Sequence, residues 1–254
     1  MRIFGLIGYP LGHSFSKKYF TEKFAKEHIT DASYELFPLE DIKLLPGLIS
    51  SQPNLRGLNV TIPYKEQVIP YLTSIDPAAK RIGAVNVIKI APDGSTTGYN
   101  SDYFGFKFTL EGFLNGNYIS EGKSLRKLKA LILGTGGASK AVKIALDDMD
   151  IENVYISRRP GENIFGYDDL TEKIVGKYLL IINTTPLGMY PEVDVFPPLP
   201  YEWLTGDHLL YDLVYNPEQT IFLQKGSKQG AKTFGGLPML YAQAEKSWDI
   251  WTTK

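Results

Sequence analysis

Leu128-Lys-Ala-Leu-Ile-Leu133-Gly134-Thr-Gly-Gly-Ala138-Ser139 is the stretch whose reading decides the fold. A short apolar run ends on glycines, and Lys140 to Met149 then follows with helical character. Strand, Gly134-x-Gly136-Gly137, helix is the context that a dinucleotide site requires. The glycines let the backbone approach a pyrophosphate, which then rests on the N-terminus of the helix. Ser139 occupies the third glycine position of the six-residue fingerprint, so the match is partial, and a bare strand-to-helix turn would read the same way. The acidic residue that would hold the ribose 2′-hydroxyl of NAD belongs ~20 residues further on, at the end of the next strand. That place holds Ser157-Arg158-Arg159. Two guanidiniums suit a 2′-phosphate, by bidentate pairing or by stacking on adenine, and so favour NADP over NAD. The plainer reading is a solvated basic turn. Only Pro-Gly-Glu-Asn separates Arg159 from Ile164, whereas a parallel crossover needs roughly ten or more residues. Either a helix is missing there or Ile164 to Tyr167 is not a parallel strand. The adenine side is expected to be abbreviated.

Working outward, short apolar runs alternate with amphipathic stretches, which predicts βα units around mainly parallel sheets, an α/β fold. Strands are expected at Ile3 to Ile7, Tyr34 to Phe37, Gly57 to Thr61, Val154 to Ser157, Leu179 to Ile182 and Leu209 to Leu213. Val85 to Ile90, Pro92-Asp-Gly94 and Thr96 to Tyr99 read as a hairpin. Helices are expected over Lys17 to His28, Tyr103 to Leu114 and Leu237 to Trp251, the last with Pro238 in its first turn. The boundaries fall near Asp102 and Gly235. Residues 1–102 form one α/β domain, 103–234 a Rossmann-like NADP-binding domain, and 235–254 a helix returning to the first.

Composition narrows the chemistry. With 254 residues, 27 Lys+Arg against 28 Asp+Glu leave a net charge of −1. No single-sign field is available to steer nucleic acid or an anionic membrane, so neither is an expected partner. The absence of Cys excludes disulfides, thiolate metal sites and cysteine nucleophiles, and the scattered His13, His28 and His208 form no metal-ligand set. The first residues turn polar too soon for the apolar core of a signal peptide, and no apolar run approaches the ~18 residues of a membrane span. A soluble, cytoplasmic protein is expected.

Further motifs converge on a family. Gly8-Tyr-Pro-Leu-Gly-His-Ser14-Phe-Ser16, Gly57-Leu-Asn-Val-Thr61-Ile-Pro-Tyr-Lys65, Gly83-Ala-Val-Asn86 and Gly98-Tyr-Asn-Ser-Asp102 precede the glycine turn. Asn183-Thr-Thr-Pro-Leu-Gly-Met189, Asp212-Leu-Val-Tyr215-Asn-Pro217 and Gly236-Leu-Pro-Met-Leu-Tyr-Ala-Gln243-Ala follow it. Any one could arise by chance, but the ordered set is specific. Along nearly its whole length the chain resembles the shikimate/quinate dehydrogenase family. The resemblance implies a two-domain enzyme that interconverts 3-dehydroshikimate and shikimate with NADP(H) in aromatic amino acid biosynthesis, with its active site in the cleft. A monomer or homodimer with only small molecules as partners is expected.

The same resemblance assigns residues. Ser14 and Ser16 would bind the substrate carboxylate beside the N-terminus of the following helix, though on spacing alone one is an N-cap. Lys65 taken alone is a solvated surface lysine, and Asp102 the N-cap of the helix from Tyr103. The family makes them the catalytic pair at the C3 oxygen. A free lysine with pKa ~10.4 is a ready proton donor and a poor base at neutral pH, so oxidation should speed up as pH rises. Lys65 is therefore read as the proton donor and Asp102 as its orienting, hydroxyl-binding partner, with Asp102 as proton carrier left open. Thr61, Asn86, Tyr215 and Gln243 would complete the substrate pocket. Gly134, Gly136, Gly137, Ala138, Ser157, Arg158, Arg159 and Thr184 would hold the cofactor, with Leu213 and Gly236 on the nicotinamide side. No metal is implied. Ser157-Arg-Arg departs from the family's Asn-Arg-Thr/Ser run, and Ser101 stands where Thr is common. The alternatives are a quinate/shikimate dehydrogenase using NAD and a non-catalytic ligand-sensing relative.

Overall fold

Continuous apolar strands arise where both faces of a sheet are covered, and that happens twice in this chain. A computed structural model describes residues 1–12 and 14–253, and His13 of the Gly8-to-Ser16 motif lies outside them. The chain divides into two compact units, Met1–Ser101 with the stretch from Ala244 onward, and Asp102–Gln243.

The first unit runs β1 (Arg2–Gly8), α1 (Phe15–Lys26), β2 (Ala32–Pro38), α2 (Leu45–Ser51), β3 (Leu55–Val60), α3 (Tyr64–Gln67), β4 (Ser74–Ile75), α4 (Pro77–Ile82), β5 (Val87–Ile90) and β6 (Thr96–Tyr99). Its sheet has the order β2-β1-β3-β5-β6-β4. β1 is parallel to β2 and β3, while β5 is antiparallel to β3 and β6. Alternate residues of β1 serve opposite faces. Phe4 and Leu6 pack with Phe20 and Phe24 of α1, Tyr34 and Trp251. Ile7 joins Leu45, Leu58, Val60, Val68 and Ile88 on the other side.

The second unit continues with α5 (Ser101–Asn117, its first residue in the first unit), β7 (Lys129–Leu133), α6 (Gly137–Asp147), β8 (Glu152–Ile156), β9 (Ile164–Phe165), α7 (Glu172–Lys177), β10 (Leu180–Asn183), β11 (Leu209–Asp212), α8 (Ile221–Lys228), β12 (Lys232–Phe234) and α9 (Leu237–Thr252). The order is β12-β11-β10-β7-β8-β9, with neighbouring strands parallel. Even-numbered strand residues Ala130, Ile132, Leu180 and Ile182 face α5 and α6 through Phe106, Leu110 and Val142. Odd-numbered Leu131, Leu133 and Ile181 face Val175 of α7 and Phe222 and Leu223 of α8. Helices on both faces make this a doubly wound sheet. Helix α9 divides between the units after Gln243.

The short crossover resolves one way. Ile164–Phe165 is a parallel strand against Tyr155 and Ile156, and residues 157–163 join the two strands with no helix. Only two residues pair, and Gly161 turns back on Ile164 in an antiparallel bridge, so the usual crossover length is not needed.

Candidate active site

In the first unit the expected substrate residues gather where strands end. β1 leads to Ser14, which caps α1 in an extended conformation and accepts the Lys17 amide at 3.4 Å. One side chain thus satisfies an orphan N–H of the first turn. Ser16, in that same turn, is hydrogen-bonded to the Tyr34 hydroxyl, and burial pushes that phenol above the ordinary tyrosine range. Thr61 continues from β3, donating its amide to Ile7 O at 3.0 Å and accepting that of Tyr64 at 2.9 Å. The chain then turns into α3, which carries Lys65 half-buried, its carbonyl accepting the Val85 amide at 2.7 Å. Asn86 is buried at the same edge, just before β5. Its Oδ1 accepts the Ser101 amide at 2.7 Å and its Nδ2 donates to Ser101 Oγ at 3.1 Å.

Sequence reasoning did not find the hydrogen-bonded chain behind these residues. The Tyr34 hydroxyl donates to Asn59 Oδ1 at 2.8 Å, and Asn59 Nδ2 donates to Ser247 Oγ of α9 at 3.0 Å. Ser247 Oγ lies 3.3 Å from Ser101 Oγ, which meets Asn86. The run therefore links Ser16 to Asn86 through groups that are buried or nearly so, where each polar atom needs a partner. A polar Asn59 amid the apolar Leu58 and Val60 was the available signal.

In the second unit the expected cofactor residues line the carboxyl edge of the parallel sheet, where open α/β sheets place ligands. Gly134 has φ +100, a left-handed conformation, and a Cβ there would meet Thr185 Cγ2 at 2.8 Å, so glycine is required twice over. Gly136 caps α6 and Gly137 begins it, and a Cβ on either meets nothing within 4 Å. The turn thus leaves open space over the N-terminus of an eleven-residue helix, beside Ala138. A pyrophosphate fits such a cradle. Ser139 in the third glycine position is fully buried and bonds its hydroxyl back to Gly136 O at 2.6 Å, which reconciles it with the motif.

After β8, Ser157 Oγ accepts the Arg159 amide at 3.2 Å, and both Arg158 and Arg159 are exposed. Thr184, after β10, bonds both its amide and its hydroxyl to Leu133 O, at 3.0 and 2.7 Å. Leu213 donates its amide to Asn183 O at 3.0 Å, and a Cβ on Gly236 would lie 2.9 Å from Val214 O. Tyr215 is half-buried, which raises its phenol pKa. Helix α5 begins at Ser101, so Asp102 is a buried residue of its first turn. Asn86 Oδ1 takes the N–H of Ser101, the first residue of that helix. Gln243 lies half-buried on α9 where that helix crosses α5 closely, since a Cβ on Gly105 would sit 3.1 Å from Gln243 N.

A second group that sequence reasoning passed over is Asp212, at the end of β11 and fully buried. Its Oδ1 accepts Asn183 Nδ2 at 2.9 Å and the Val214 amide at 3.0 Å, and its Oδ2 accepts Thr220 Oγ1 at 2.5 Å. Burial pushes the carboxyl up to about 6 against those three donors. Among the described residues, no group of three or more His, Asp or Glu could hold a metal, and no helix is long and apolar enough to cross a membrane.

Comparison with known proteins gives the context. The family model for the shikimate dehydrogenase substrate binding domain matches residues 6–88. The shikimate dehydrogenase (NADP(+)) of Clostridium beijerinckii is 40% identical, the match covering 99% of this chain and 92% of that protein. The shikimate dehydrogenase (NADP(+)) of Desulforamulus reducens is 35% identical, over 99% of this chain and 90% of its own length. Among solved structures, shikimate 5-dehydrogenase from Thermus thermophilus in complex with NADP(H) and shikimate superposes with a TM-score of 0.81 at 32% identity, covering 100% of this chain and 94% of that one.

Proposed function

The chain belongs to the shikimate dehydrogenase family, and from that membership we propose that it is an NADP-dependent oxidoreductase interconverting 3-dehydroshikimate and shikimate. The observation that carries the reading is the glycine turn after β7, open above Gly136 and Gly137 at the start of α6. Arg158 and Arg159, exposed at the end of the next strand, suit the 2′-phosphate that distinguishes NADP from NAD. We place the enzyme in the cytoplasm, as a monomer or homodimer.

The chemistry supplied by bound NADP(H) is hydride transfer at C3 of the substrate. Ser14 and Ser16, with the first amides of α1, hold the substrate carboxylate. Thr61, Asn86, Tyr215 and Gln243 bind the ring hydroxyls. Lys65 Nζ gives a proton to the C3 oxygen as the carbonyl becomes a hydroxyl, and as the neutral amine takes it back in the reverse direction. Asp102 accepts from the same hydroxyl and orients the amine. The Gly134–Ala138 turn, Ser157 and Thr184 hold the phosphates and ribose, and Leu213 and Gly236 shape the nicotinamide side.

The test is the initial rate of reduced-nicotinamide formation with shikimate or quinate crossed against NADP or NAD. Turnover with shikimate and NADP is expected. Turnover confined to quinate with NAD would overturn the substrate and cofactor assignments. Silence in all four combinations, with ligand binding intact, would leave a sensing protein on an enzyme's fold.

A further inference from the structure

Asp212 is an expensive residue. Its carboxylate is fully buried, and the groups that meet it are an amide side chain, a backbone N–H and a hydroxyl, all neutral. A buried carboxylate with no cation beside it costs free energy that an apolar residue would not. The three donors, however, come from three different places along the carboxyl edge of the sheet. Asn183 ends β10, Val214 lies beyond the end of β11, and Thr220 caps α8, where its hydroxyl also accepts the Leu223 amide at 3.4 Å.

Each of these donors controls something else. Because Asp212 takes Asn183 Nδ2, the Asn183 Oδ1 is turned the other way, accepting the Thr185 amide at 3.0 Å and the Thr185 hydroxyl at 2.6 Å. That fixes the turn beginning at Thr184. Because Asp212 takes the Val214 amide, the peptide between Leu213 and Val214 is held in one orientation, and Val214 O accepts the Gly236 amide at 3.1 Å. Gly236 then sits against the Leu213 peptide so closely that a Cβ would come within 2.6 Å of the Leu213 carbonyl carbon. Thr184, Leu213 and Gly236 are thus each set by a short run of bonds from one carboxylate.

We infer that Asp212 is a positioning residue for cofactor binding, an acceptor-only group that fixes the Asn183 amide and the Leu213–Val214 peptide so that the 184, 213 and 236 backbones present one rigid surface to the nicotinamide end of the dinucleotide. The inference rests on the proposed reading of Thr184, Leu213 and Gly236 as cofactor-facing. An ionised carboxylate is the side chain that fits, since it accepts all three hydrogen bonds and donates none. Asp212→Asn keeps the shape but removes the charge, and its NH₂ turns the Thr220 hydroxyl from donor to acceptor, so the bonds from Asn183 and Val214 lose their ionised partner.

The experiment is a fluorescence titration with NADPH, together with steady-state kinetics, on the wild type, D212N and T220V. D212N is expected to weaken NADPH binding and raise KM for NADP by about tenfold or more, because every hydrogen bond to residue 212 loses its ionised partner. KM for shikimate at saturating NADP should stay unchanged. T220V removes one of the three donors and should weaken NADPH binding about threefold. A purely structural Asp212 would lower the folded, active fraction and hence apparent kcat, leaving the NADPH dissociation constant and both KM values as in the wild type. That result would overturn the inference. If D212N does not fold, T220V decides, and an unaltered NADPH affinity in folded T220V overturns it. Failure of the wild type to turn over shikimate with NADP would count against the proposed function, and the titration would still judge Asp212.

Discussion

The indole of Trp251 fills the space that any side chain at residue 57 would need, so that a Cβ built on Gly57 falls on the ring atoms Nε1, Cδ1 and Cε2. Gly57 lies in β3, and Trp251 lies near the end of α9, stacked on Phe4 at 4.9 Å with its Nε1–H donating to Ile88 O at 3.0 Å. Glycine here lets the last helix press against the strand that leads to Asn59, Thr61 and Lys65. Gly57→Ala should therefore destabilise the fold by about 2–3 kcal/mol, the cost of overpacking a ring that is already hydrogen-bonded. Denaturant unfolding measures it, and G57A combined with W251F should lose less than the two single changes add up to. A G57A protein as stable as the wild type would show that the ring can move aside freely.

Lys65 offers a cleaner test of mechanism. Its backbone carbonyl holds the Val85 amide whatever side chain follows, so Lys65→Ala leaves the local chain in place. Turnover should fall by about 10²–10⁴-fold, the usual worth of a positioned acid–base group, while KM for shikimate changes little. Equal losses in binding and rate would instead make Lys65 a binding residue.

Cofactor choice should follow Arg158. The side chain is exposed at the end of β8, on a turn closed by the Ser157 hydroxyl and the Arg159 amide at 3.2 Å. A guanidinium on a 2′-phosphate makes charge-assisted hydrogen bonds that NAD cannot offer. Arg158→Ala should raise KM for NADP by roughly tenfold and leave KM for NAD as it was. Undiminished discrimination would move the role to Arg159.

What could be read from the sequence was what local pattern controls. β1, β7, β10 and β11 stand out because their residues are largely apolar on both faces, and the glycine turn stands out because strand, Gly134-x-Gly136-Gly137 and helix are contiguous. Strands β4 and β12 do not stand out, being two and three residues long at the edges of their sheets, with little apolar surface to set a period. Helices α2, α4, α7 and α8 are six to eight residues each, too short for helical spacing to show. The supporting side chains were hidden for a different reason. Asn59 and Ser247 are 188 positions apart, and only the folded chain brings their hydrogen bond into being. Asp212 reads in sequence as the polar end of an apolar strand, and its donors Asn183 and Thr220 acquire meaning only when three loops meet.

Stability against pH should carry the mark of His208. The ring is buried, with Nδ1 accepting the Thr205 amide at 2.9 Å and Nε2 meeting Val175 O at 3.1 Å. That pattern fits a neutral imidazole protonated on Nε2, and a second proton on Nδ1 would confront the Thr205 N–H. Desolvation by burial holds its pKa below the ordinary 6.5, against the bonds to Val175 and Thr205. As pH falls through that ordinary value, the unfolded chain takes up the proton before the folded one does. The group's contribution is therefore full above about 6.5 and is lost on acidification, by at most about 1.4 kcal/mol per pH unit. Asp212 acts in the opposite sense. Its folded-state pKa is pushed up to about 6, so the folded protein takes up that proton first and gains relative stability between about 6 and the ordinary carboxylate range. The two are separated by His208→Asn, which keeps an acceptor for Thr205 and cannot titrate. The variant should be less stable than the wild type at pH 7.5, and the gap in melting temperature should narrow steadily toward pH 5. A gap that stays constant over that range would mean that His208 ionises in the folded protein as readily as in the unfolded chain.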